Sequence, residues 1–227
     1  MFSEKDLEKP ARYDMKLFEP LKAEYPILDS YEDSVFQQLK SHYLLIGKLV
    51  AHGGDIHVST IVIHGAIVRS LNTYRGALWA LGNGSQHVFY DCLRSQCETL
   101  ALLHYCTLHP DYIKAATIGE RKHPQKDLAI VNILTMVQKL DKLHKGILRD
   151  YDDPCNLVHP NPASLYVSIQ PLDLKKRIVV FTSRLPKMTD DKVTAYLRNL
   201  TIWTKWIFDK LIELAKIFVS PSEAAKE

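Results

Sequence analysis

A chain of 227 residues with 46% apolar and 24% charged residues is long enough to bury a substantial core and too apolar to stay disordered. Its 29 Lys and Arg against 26 Asp and Glu leave a net charge of +3, too small an excess to imply nucleic-acid binding by overall charge, although a local patch is compatible with it. The longest run without a charged residue, 154–172, contains Pro154, Pro160, Pro162 and Pro171, and cannot make the ~20-residue apolar helix that spans a membrane.

The opening Met1-Phe-Ser-Glu-Lys-Asp carries acidic residues and no apolar run, so it does not read as a secretory signal. Residues 1–30 mix charge with Pro10, Pro20 and Pro26, the pattern of an arm lying on the surface, with room for a short helix. From 31 to about 51, Val35, Leu39, His42, Ile46, Leu49 and Val50 recur at helical spacing, and Gly53-Gly54 closes the segment. A second helix is expected over about 55–81, with Ile63, Ile67, Leu71, Tyr74, Leu78 and Leu81 as its main stripe. Beside that stripe run Gly65, Ala66, Arg69, Thr73, Gly76 and Ala80, a face narrow enough for another helix to approach closely. Gly82-Asn83-Gly84 is a strong stop.

The third helix, about 85–108, is apolar on nearly every face, which places it at the centre of a bundle. A loop rich in Lys, Arg and His (120–126) leads to a fourth, about 127–147, with Ile130, Ile133, Leu134, Val137 and Leu140 inward. Residues 149–163, with three prolines, read as irregular. Leu165, Val167 and Ile169 alternate with polar residues, and 177–182 is a second β-type run, so the two can pair as a small hairpin. After Thr189-Asp190 as the cap, Val193, Tyr196, Leu197, Leu200, Trp203, Ile207, Leu211, Leu214 and Phe218 form the longest stripe in the chain. The fold class is therefore all-α, a bundle of about five long helices with a small hairpin near 164–183. Residues 1–30 form the arm and 31–227 a single helical-bundle domain.

Two polar groups stand out against this apolar background. Arg94 and Glu98 sit four apart, hence on one face, in a helix whose only other charged residue is Asp91. Charges on a central helix need compensation, so the pair is either a structural tie between helices or an anion-binding or catalytic pair. Arg69, on the small-residue face of the second helix, is a further candidate binding residue. The second group is 151–161, where Pro160 and Pro162 stiffen the backbone around His159 and Asn161, with Tyr151 and Cys155 nearby. A stiff loop presenting a His and an Asn suits a general base or a ligand contact, with Tyr151 and Asn161 as binding residues. A capping loop in which His159 bonds a backbone carbonyl is the plainer alternative.

Ten histidines and four cysteines invite a metal, yet no H-E-x-x-H or C-x-x-C spacing is present, so neither metal nor cofactor is expected. Cys92, Cys97, Cys106 and Cys155 read as reduced thiols, and a cytoplasmic location is expected. G-x-S-x-G, phosphate-loop and dinucleotide glycine patterns are absent.

Leu93-Arg-Ser-Gln-Cys-Glu-Thr-Leu100 resembles the R-S-x-x-E-T helix of a group of uncharacterised bacterial helical proteins, and 151–161 resembles the Y-D-x-L-C-x-x-V-H-P-N segment that follows it there. That group is similar in outline to the HEPN superfamily, compact helical bundles of prokaryotic toxin, CRISPR and phage-defence systems. The resemblance implies a metal-independent ribonuclease or an RNA-binding relic of one, acting as a homodimer or with a protein partner from its operon. Arg94, Glu98 and His159 would then be the catalytic residues. The sequence departs from the family's Arg-x4–6-His motif: Arg94 and His104, like Arg149 and His159, have nine residues between them. The alternative is a non-catalytic helical module that binds a protein partner or a small anionic ligand.

Overall fold

The computed structural model describes residues 4–51, 58–110, 112–113, 131–158, 169–173, 178–181 and 188–219. The elements in order are α1 (Glu4–Asp14), a 3-10 turn (Met15–Leu17), α2 (Glu19–Glu24), a second 3-10 turn (Pro26–Tyr31), α3 (Glu32–Ala51), α4 (Val58–Gly82) and α5 (Gln86–Leu108). There follow α6 (Ile133–Leu143), α7 (Ile147–Val158), β1 (Ile169–Asp173), β2 (Ile178–Phe181) and α8 (Asp190–Val219). The architecture is an all-α bundle.

The apolar surround expected of α5 is what the fold builds: α4, α6, α7 and α8 all pack on it. Phe89, Leu93, Cys97, Leu100, Leu103 and Cys106 are buried within it. α8 runs parallel to α5, since Tyr196 meets Tyr90 at a ring distance of 5.5 Å and Thr204 meets Gln96 two turns further along both helices. Its stripe from Val193 through Leu197, Leu200, Trp203, Ile207 and Leu211 to Leu214 is buried, and the Thr189 hydroxyl accepts from the Lys192 N–H at 3.3 Å as the expected cap. The small-residue face of α4 allows close approach at Gly76, where a Cβ would sit 3.1 Å from Cys92 Sγ.

Two segments differ from the sequence reading. Where charge and prolines suggest a surface arm, residues 4–31 are helical and send Ala11, Phe18, Leu21, Tyr25 and Leu28 into the main core. α1 approaches α3 closely at Gly47, where a Cβ would lie 2.8 Å from Leu7 Cδ1 and the end of the leucine side chain would have to turn aside. Polar ties reinforce the docking, with Tyr43 donating to Asp14 at 2.6 Å and Lys40 to Glu8 at 2.7 Å.

The second difference is at 149–163, expected to be irregular but helical as far as Val158. The helix break falls earlier, at 144–146, where Gly146 takes φ +99. Asp141 organises it by accepting from the N–H groups of Gly146 (2.9 Å) and Leu148 (3.1 Å), which caps the start of α7. Pro154 lacks the N–H that would have bonded the carbonyl of Asp150, yet the helix continues past it to Val158. Within the expected hairpin region, β1 and β2 pair antiparallel, with Ile169 opposite Phe181 and Gln170 opposite Val180.

Candidate functional site

α4, α5 and α7 bring four of the sequence candidates to one carboxylate. On α5, Arg94 Nε donates to Glu98 Oε1 at 2.9 Å, as the i, i+4 spacing requires. From α4, Arg69 Nη2 reaches Glu98 Oε2 at 3.3 Å. α7 faces α5 with Ile147, Tyr151 and Cys155, one turn apart each, and Tyr151 donates its phenol proton to Glu98 Oε1 at 3.2 Å. Cys155 lies beside Tyr151 and Arg94. His159 and Asn161, the other two candidates, lie outside the described residues.

The electrostatics follow from partial burial. The Arg94 and Glu98 side chains are 23% and 18% exposed, while Arg69 is half exposed. Burial alone pulls the Arg94 guanidinium down, but the hydrogen bond and charge of Glu98 outweigh it and hold Arg94 above its ordinary value. Burial, then the neighbouring Cys155 and Glu98, push the Tyr151 phenol up, so it remains a proton donor through neutral pH. Burial likewise raises the Cys155 thiol against the opposing pull of Tyr151 and Arg94, which leaves no activated thiolate there. Both guanidiniums are held on the one carboxylate of Glu98, and Asp152 is near enough to act on Cys155. Glu98 accepts from three donors and acts as the hub that fixes both arginines.

A second polar group escapes the sequence reading. His42 of α3, Ser70 of α4, Gln96 of α5 and Thr204 of α8 are fully buried and form one hydrogen-bonded chain. The Gln38 carbonyl can only accept, so His42 Nδ1 carries the proton (2.8 Å) and Nε2 receives the Ser70 hydroxyl at 3.0 Å. Gln96 Nε2 donates to both Ser70 (2.8 Å) and Thr204 (2.7 Å), and Thr204 donates to the Leu200 carbonyl. With no solvent exposure this chain fixes the relative positions of four helices. The signal was a polar residue interrupting each apolar stripe; which ones meet is a tertiary matter.

Among the described residues, no group of three His, Cys, Asp or Glu side chains could hold a metal ion, and no helix is long and apolar enough to cross a membrane. All four cysteines are free, and burial raises Cys92 to about 11 and Cys106 to about 12. No protein family, curated protein or solved structure matches the chain.

Proposed function

We propose that this is a HEPN-like RNA-binding protein of a prokaryotic stress, toxin or phage-defence system, in which Arg69 and Arg94 receive an RNA phosphate. The observation that carries the reading is the pair of arginines from different helices held on one carboxylate, with Arg69 half open to solvent. Guanidiniums offer planar, bidentate donors to phosphate oxygens, and a carboxylate behind them fixes their direction. If the protein cleaves RNA, Arg94 would stabilise the charge developing on phosphorus, Glu98 would orient it, and His159 would act as general base or acid.

The test is binding and cleavage of labelled single-stranded RNA and tRNA in EDTA. Wild type should bind, and Arg94→Gln should weaken binding by roughly tenfold, since a hydrogen bond to a charged group is worth about 1.5–3 kcal/mol. His159→Ala should leave binding unchanged and lower any cleavage by ~10²-fold or more. Absence of RNA binding at low salt sinks the reading.

The runner-up is a non-catalytic module for a protein partner or small anion. It is favoured by the engagement of both Glu98 oxygens, which leaves that carboxylate unsuited to take a proton from substrate. RNA-independent capture of a polyanion, lost in Arg94→Gln, would support it.

A further inference from the structure

Where the C-terminal half of α5 meets α6 and α8, cationic and aromatic side chains gather away from Glu98. Lys139 of α6 places its amine 3.1 Å from His109 Nε2 and 4.7 Å above the Tyr105 ring. An ammonium can only donate, so His109 Nε2 is the acceptor and that imidazole is neutral. Among the described residues no carboxylate forms an ion pair with Lys139. His144, just past α6, stacks on Trp206 of α8 with ring centroids 3.9 Å apart. One turn along α8, Lys210 grips both oxygens of Glu213 at 2.9 and 2.7 Å, and Asp141, between Lys139 and His144 in sequence, is taken up by the N–H groups of Gly146 and Leu148.

His104 sits among these cations. It is 6% exposed, and its Nδ1 is buried without a hydrogen-bond partner. A buried polar atom left unpaired costs about 1–3 kcal/mol, so such an atom near a lysine that no described carboxylate pairs marks a place where a ligand can complete the bonding. Burial first, then Lys210, His144 and Lys139, hold the His104 imidazole below its ordinary value against the pull of Glu213. Burial and Lys210 do the same to His144.

We infer that Lys139, Lys210, His104 and His144 form a second anion site, one that takes a phosphate group. The assignment is independent of the Arg69–Arg94 reading. Phosphate oxygens would accept from the Lys139 ammonium and from an imidazole N–H, and their charge would draw protons onto His104 and His144. The phosphate can be free or carried by a nucleoside monophosphate.

Histidine proton resonances of the full chain, followed against pH in chloride and then in inorganic phosphate at equal ionic strength, provide the test. The titration midpoints of two histidines should move up by ~1 pH unit in phosphate, as expected for an opposite charge arriving within contact distance. Their assignment to His104 and His144 comes from His104→Gln and His144→Gln. Lys139→Gln should weaken the apparent phosphate affinity by roughly tenfold, while Arg69→Gln should leave it unchanged. A nucleoside monophosphate that acts at lower concentration identifies the nucleotide as the carrier; equal potency identifies free phosphate. No phosphate-specific shift in wild type overturns the inference without recourse to any variant. So does a shift that survives Lys139→Gln and disappears in Arg69→Gln.

Discussion

Glu98 and His42 show opposite uses of a buried polar side chain. Glu98 satisfies three donors from three helices, so Glu98→Gln removes the charge that holds Arg69 and Arg94 near each other. A loss of about 1–3 kcal/mol is expected in urea unfolding. Added sulfate should restore more of it in the variant than in wild type, because an anion can take the carboxylate's place; equal effects on both proteins would reject the arrangement. His42 is neutral in the fold, with burial drawing its pKa from 6.5 to about 4 although the Gln38 carbonyl favours the charged form. As pH falls, the unfolded chain takes this proton first. The stabilisation is complete above about 6.5 and is lost progressively down to about 4, a change of roughly 3 kcal/mol. The difference in urea midpoint between wild type and His42→Gln should therefore vary with pH across that window and be level above it. A flat difference throughout would mean that His42 titrates freely in the folded protein.

At the scale of elements, α8 shows how much of its stability comes from a stripe and how little from local propensity. Trp203 is 3% exposed, with Leu200 and Ile207 beside it on the same face, and Trp203→Ala should cost ~3–5 kcal/mol through lost burial and the cavity left behind. An unchanged denaturation midpoint would show that the face is not the core of the protomer. α7 illustrates the reverse case. Three prolines in 149–163 argue against a helix, yet only Pro154 falls within it, Asp141 supplies the cap and Tyr151 the buried anchor.

For the whole molecule, residues 4–31 complete the core: Phe18, Leu21 and Leu28 are fully buried, and Tyr25 accepts a hydrogen bond from the Met188 N–H at the approach to α8. A chain beginning at Glu32 would uncover the apolar surface these residues cover. It should bind a hydrophobic dye and unfold at lower urea; a native midpoint without dye binding would show that the segment is dispensable. The bundle itself was legible because helical periodicity over 31–51, 55–81, 85–108 and 190–218 is a local property that each segment displays alone. Arg94 and Glu98 were legible for the same reason, as charges four apart in a largely apolar helix. Sequence could not say that Arg69 and Tyr151 would converge on Glu98, or that His42, Ser70, Gln96 and Thr204 would form one chain, because those partners lie far apart along the chain. Nor could it say that a charged, proline-bearing segment would dock, since that depends on the core surface that Phe18, Leu21 and Leu28 meet on other helices. Periodicity decides which face of a helix is buried; the packing of helices against one another decides which polar groups meet there.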